Sequence, residues 1–169
     1  MGGSEAVQLP RSVARRLRRE AERLGLTVEE YLLDLLSQSL DPRERAREYI
    51  DAALELLDEA RGKLERGNTR QAAEKLWGAA ALAVKAYAYW RDGKRLASHG
   101  ELWEYSLVLR GDLGKWVTDA WNAANSMHTC FYEGWCKRGH IEDAIEEIDR
   151  LVKEVASRIR ALHRQQGEE

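Results

Sequence analysis

Apolar residues recur along this chain at alternating steps of three and four, the period of a helix face, and nowhere alternate for long at the period of a strand. From Pro42 onward the pattern predicts four long helices. The first, over residues 42–66, carries the seam Ala46, Ile50, Ala53, Leu57, Ala60 and Leu64. Asp41 caps it, Pro42 takes the first helical position, and Glu44 completes a capping box. Gly67 ends it, and Asn68 or Thr69 caps a second helix running to residue 90. Residues 79–90 are apolar nearly all round, which marks a central helix or one that also forms an interface. Asp92-Gly93 turns the chain into a short segment over residues 98–110, with Leu102, Trp103, Tyr105, Leu107 and Leu109. The third long helix spans residues 113–135, with Val117, Ala120, Ala124, Met127 and Phe131 as its seam. Gly139 breaks it. His140 or a neighbour then caps the last helix, residues 141–163, where Ile141, Ile145, Ile148, Val152, Val155, Ile159 and Leu162 repeat the seam.

The first forty residues read differently. Residues 5–10 predict the one short strand of the chain, with Val7 and Leu9 on one side and Ala6 and Gln8 on the other. Pro10 opens a helix with Val13, Leu17, Ala21 and Leu24 on one stripe, ended by Gly25. Thr27 and Glu30 form the capping box of the next, whose apolar face is Val28, Tyr31, Leu32, Leu35, Leu36 and Leu40. The expected organisation is therefore an all-α chain: a helical arm over residues 1–40 with a short strand and a helical hairpin, a helical bundle over 41–164, and a frayed tail over 165–169.

Composition narrows the function classes. A formal net charge of −2 provides no global field for nucleic acid or an anionic membrane, so either would need a local patch. One such patch exists: residues 10–25 hold Arg11, Arg15, Arg16, Arg18, Arg19 and Arg23 against Glu20 and Glu22. It can contact phosphates, or it can be a solvated face. The opening residues lack a signal-peptide pattern, and Lys85 interrupts the longest apolar run, well short of the roughly 20 residues a membrane span requires. A cytoplasmic protein without membrane contact is expected. Cys130 and Cys136 lack a metal-ligand spacing and read as free buried thiols. Neither a metal nor a cofactor motif is legible, and no nucleophilic triad or phosphate loop appears. Arginine outnumbers lysine, twenty to seven, a bias consistent with heat adaptation or with a GC-rich genome.

The candidate chemistry is concentrated on the third long helix. Trp121, Asn125, His128, Tyr132 and Trp135 follow at steps of four, three, four and three and make one stripe beside the apolar seam, with Asn122 on its polar flank. Indoles supply flat faces, the amides paired donors and acceptors, and the imidazole a tunable proton. Such a stripe can line a ligand site or simply pack as core. Lys85, mid-helix among apolar residues, is expected to snorkel to water rather than meet an acid such as Glu133 or Glu101. The segment Ser98-His99-Gly100-Glu101 reads as a helix start, either an anion site or an ordinary N-cap. Lys85 and the stretch from His99 through Glu101 to Trp103 are the elements expected to close the site.

The strings KLWGAAALAVKAYAYW, LASHGELWEYS and WNAANSMHTCFYEGWC resemble the archaeal PaREP family over about residues 41–160. That resemblance implies a HEPN-like four-helix up-down bundle, a fold whose members include ribonucleases and nucleotide-binding partners of nucleotidyltransferases. Active HEPN ribonucleases carry an arginine, then a polar residue, then a histidine on a late helix. Asn122 and His128 match the last two, but Trp121 stands where the arginine belongs. Without that guanidinium, nothing evident steadies the charge of phosphoryl transfer. The resemblance thus implies a non-catalytic module binding a nucleotide, nucleic acid or partner protein. Its rival is a divergent ribonuclease in which Arg91, Arg95 or a second subunit supplies the missing cation. Separately, VQLPRSVARRLRREAERLGLTVEEYLLDLL resembles a ribbon-helix-helix unit. This implies pairing of two chains through the arm and a DNA-reading face with Ser4, Ala6 and Gln8 outward, backed by Arg15, Arg16 and Arg19. About thirty residues cannot build a core alone, so a homodimer is expected.

Overall fold

A computed structural model describes residues 5–166 of the chain, and side chains as far as residue 161. Ser4, the Leu162 side chain and the last three residues lie outside the described set; residues 165 and 166, expected to fray, are helical. Among the described residues there are seven helices and no strand. None of these helices is long and apolar enough to cross a membrane. The chain divides into two compact units, Met1–Ser39 and Leu40–Glu169.

The first unit holds α1 (Arg11–Leu24) and α2 (Val28–Leu36). Gly25, at φ 68°, closes α1 in the left-handed region, with the amides of Gly25 and Leu26 returning to Glu22 and Ala21. Thr27 caps α2 by accepting from the Glu30 amide at 3.1 Å. Residues 5–10 do not form the expected strand. A β-ladder needs a second strand to exchange hydrogen bonds with, and the chain supplies none there. Both helices leave apolar side chains in water: Val13 and Leu24 on α1, and Leu32, Leu35 and Leu36 on α2, the last 75% exposed.

The second unit is the bundle. In α3 (Pro42–Glu65) the Asp41 carboxylate accepts from the Arg43 and Glu44 amides, and Glu44 returns the bond to Asp41. Asn68 caps α4 (Thr69–Asp92) through the Gln71 amide. Every residue of α4 from 76 to 89 is buried. The run is rich in alanine, whose small side chain lets neighbours approach from any side. α4 accordingly packs against α3, α5 (His99–Leu113), α6 (Trp116–Glu133) and α7 (Arg138–Gln166), while α7 also packs on α3 and α6. The central position expected of α4 is therefore filled within one chain, and its apolar surface does not call for a second subunit.

Three expectations change in this unit. α6 starts later and ends earlier than its pattern suggested, because Gly114 and Gly134 bound it at φ 115° and 70°. Gly139, taken as the breaker, sits instead in the first turn of α7. α7 begins at Arg138, so His140 lies in its first turn and does not precede the helix; its Nδ1 reaches back to accept from the Lys137 amide at 2.9 Å. Cys130 and Cys136 are joined in a disulfide, with Cα atoms 5.6 Å apart, and are not free thiols. The left-handed turn at Gly134 brings residue 136 back beside the last turn of α6, a juxtaposition that linear spacing does not reveal.

Candidate functional site

The site begins with a single bulky ring on an alanine-rich helix. Trp77 of α4 is buried, and three rings from the next two helices gather on it: His99 at 5.1 Å, Trp121 at 5.5 Å and His128 at 4.6 Å between centroids. Trp77 lies fifteen residues before the end of α4, about 22 Å along its axis. His99 follows that end by only seven residues, so the connection carries the chain back along α4. Leu96, buried, pins this connection, and Ser98 with Glu101 forms a capping box where it turns into α5.

On α6, Trp121, His128 and Tyr132 share one face, as their spacing requires. His128 meets His99 at 5.0 Å and Tyr132 edge-on at 5.1 Å; Trp103 of α5 meets Trp121 edge-on at 5.8 Å. Arg70, near the start of α4, donates to the Phe131 and Tyr132 carbonyls and so holds the last turn of α6 in place. Beside the cluster, a cavity of about 340 Å³ opens between α5 and α6. Trp103, Leu107 and Trp121 form its apolar wall, and Glu104, Arg110, Thr118 and Asn122 are the polar residues around it.

His128 is half-buried, and neither of its ring nitrogens, nor either of those of His99, has a hydrogen-bond partner among the described residues. Burial, and then the neighbouring His99, push the His128 pKa below the usual histidine value, so its imidazole is neutral at physiological pH. Trp121 is 1% exposed, and its Nε1–H finds no acceptor.

Several residues expected at the site do other work. Asn125 donates from Nδ2 to the Trp121 carbonyl at 2.8 Å, so part of its amide is spent on its own helix. Trp135 lies beyond the end of α6, where helical spacing no longer applies, and packs on His140 instead of the cluster. Glu101 accepts from the Ala97 and Ser98 amides, which hold its carboxyl below the usual range. Its own carboxylate thus occupies the helix start that an outside anion would need. Lys85 does not snorkel: α4 is covered over residues 76–89, and Lys85 is 6% exposed and held by a contact within the protein. It lies eight residues beyond Trp77, about 12 Å along the helix. In the first unit, Gln8 borders a cavity of about 420 Å³ with Val7, Leu9, Leu17 and Arg18, while Arg15, Arg16 and Arg19 are exposed and unpaired among the described residues.

Arg91 belongs to a different constellation, which the sequence pattern did not expose. Its guanidinium bridges Asp92 and Asp112, Tyr87 donates to Asp112 at 2.8 Å, and Tyr105 donates to Asp92 at 2.6 Å. Burial and the Asp112 carboxylate push the Tyr87 pKa up to about 12. These bonds join the end of α4 to α5. Arg91 stands fourteen residues from Trp77, about 21 Å along α4, and is committed to two carboxylates. It therefore does not replace the arginine missing beside His128. Two more residues the sequence pattern passed over are Trp77 and Arg70; the signal for Trp77 was an indole standing alone among alanines.

Among known proteins, the family model described as the Archaeal PaREP1/PaREP8 family matches residues 48–152. That range contains α4, α5 and α6, and with them every ring of the cluster. No curated protein and no solved structure matches the chain.

Proposed function

The chain belongs to the archaeal PaREP1/PaREP8 family, and from that premise we propose that its bundle is a non-catalytic, HEPN-like binding module for the base of a nucleotide or nucleic acid. In this reading α3, α4, α6 and α7 are the four helices of an up-down bundle, and α5 is the added element that closes the site. One observation carries the proposal: the cavity walled by Trp103, Leu107 and Trp121, with Arg110 and Asn122 among the polar residues around it. Flat indole faces stack bases regardless of sequence, and the amide of Asn122 and the guanidinium of Arg110 can address a base edge or a phosphate. Catalysis is not part of the reading, because Trp121 replaces the arginine of the ribonuclease motif and Arg91 is engaged elsewhere.

The experiment is a fluorescence titration of the purified protein with nucleoside monophosphates and short RNA oligomers. Saturable quenching, weakened at least tenfold by Trp103→Ala, is expected, with no RNA cleavage. Unchanged fluorescence with every base would overturn the base-binding reading; cleavage abolished by His128→Ala would overturn the non-catalytic one. By family analogy, the proposal extends to a nucleotidyltransferase-type partner protein.

A second reading concerns the arm and rests on its exposed surfaces. Val7 (79% exposed), Val13, Leu32, Leu35 and Leu36 stand in water, and residues 5–10 belong to no helix or strand. Two copies of the arm would cover that surface and pair that segment, giving a homodimer. The exposed Arg15, Arg16 and Arg19 would then support salt-sensitive, sequence-independent nucleic-acid binding.

A further inference from the structure

The cavity between α5 and α6 has two kinds of boundary. Trp103, Leu107 and Trp121 give it an apolar wall, while Glu104 and Arg110 of α5 and Asn122 of α6 stand exposed around it. None of these three polar side chains has a hydrogen-bond or ion-pair partner among the described residues. The wall suits the flat face of any base and selects none. Selection falls to the free groups, and above all to Glu104. A carboxylate beside a site for an anionic ligand repels that ligand unless it accepts hydrogen bonds from it. Ionised, it offers two acceptor oxygens and no donor.

The common bases answer such a group differently along their Watson–Crick edges. Guanine presents two adjacent donors, its ring N–H and its 2-amino group, next to a carbonyl acceptor. Adenine and cytosine each set a single amino donor beside a ring-nitrogen acceptor, and uracil sets its one N–H between two carbonyl oxygens. A carboxylate therefore bonds guanine through both oxygens and meets an acceptor lone pair on each of the others. Asn122, on α6, has an amide N–H for the guanine carbonyl. Arg110 lies six residues beyond Glu104, about 9 Å along α5, which leaves the base edge and the phosphate to separate residues.

We propose that the base this site takes is guanine. Trp103 stacks it, Glu104 accepts from its ring N–H and 2-amino group, Asn122 donates to its carbonyl, and Arg110 takes the phosphate. This rests on the base-binding reading above and adds the choice among bases. Because the polar residues are open to water, the discrimination is moderate, about tenfold, close to the worth of one hydrogen bond to a charged group.

The test is equilibrium dialysis of the full-length protein against GMP, IMP, AMP, CMP and UMP. GMP should bind about tenfold more tightly than AMP, CMP or UMP. IMP, which lacks only the 2-amino group, should fall between. Glu104→Gln turns one acceptor into a donor; it should weaken GMP about tenfold and AMP by less than about threefold, with circular dichroism unchanged. Equal affinity for the four bases, or a GMP preference that survives Glu104→Gln, would overturn guanine selection and leave base binding standing. Failure of every nucleotide to bind would overturn both.

Discussion

Trp121 is nearly sealed from solvent, yet its indole N–H has no acceptor. An unpaired buried donor carries a penalty of roughly 1–3 kcal/mol, which opposes the gain from burying the ring. Trp121→Phe, which removes the donor and part of the ring together, should change stability by no more than about 1 kcal/mol, whereas Trp121→Ala should cost about 3–5 kcal/mol. Urea unfolding of the two variants checks the contrast. His128 makes a pH prediction. Its folded pKa lies below the unfolded value near 6.5 because of burial and then His99. The unfolded chain therefore binds the proton more readily, so stability is full above pH ~6.5 and declines as pH falls below it. His128→Phe should flatten that decline in a series of melts from neutral to mildly acidic pH. Spacing on one helix identified Trp121, His128 and Tyr132 as neighbours, since position on a helix face is fixed by period. It could not identify Trp77 or Arg70, which reach the group from another helix.

At the scale of elements, two of the links that hold the site's helices can be tested. Tyr87, on α4, donates to Asp112 of α5, and burial together with that carboxylate raises its pKa to about 12. A raised pKa means stability is fully present below the unfolded value near 10 and is lost as pH climbs toward 12. Tyr87→Phe should shrink the loss over that window, as measured by melts in alkaline buffers. The Cys130–Cys136 disulfide ties the end of α6 to the turn before α7. Closing so short a loop stabilises by about 2 kcal/mol in the chain-entropy account. Thiol titration of unreduced native protein should find no free sulfhydryl, and reduction should lower the unfolding free energy by about that amount. Caps written in the sequence, Asp41 with Glu44 and Ser98 with Glu101, formed where their side chains required. The end of α6 was misjudged because an apolar period can run on past a glycine that the backbone uses to turn.

For the molecule as a whole, oligomeric state now rests on the arm. α4 finds its cover inside the chain, while Val13 and Leu36 remain in water. The expected outcome in light scattering at micromolar concentration is a dimer, converted to monomer by Val13→Lys together with Leu36→Lys while the helical circular dichroism persists. A wild-type monomer would sink this prediction.

What the sequence determined by itself was local: which segments are helical, where Thr27 and Asp41 cap them, and which residues line one face of α6. Those follow from period and from side chains reaching backbone three residues away. Tertiary structure decided what no period encodes. It set His99 against Trp77 by folding the connection at residues 93–98 back along α4. It also turned Cys136 onto Cys130, committed Arg91 to two aspartates, and left residues 5–10 without a strand to pair with. The reason is the same in each case: these contacts depend on where the chain returns in space, and that is fixed only when the helices pack.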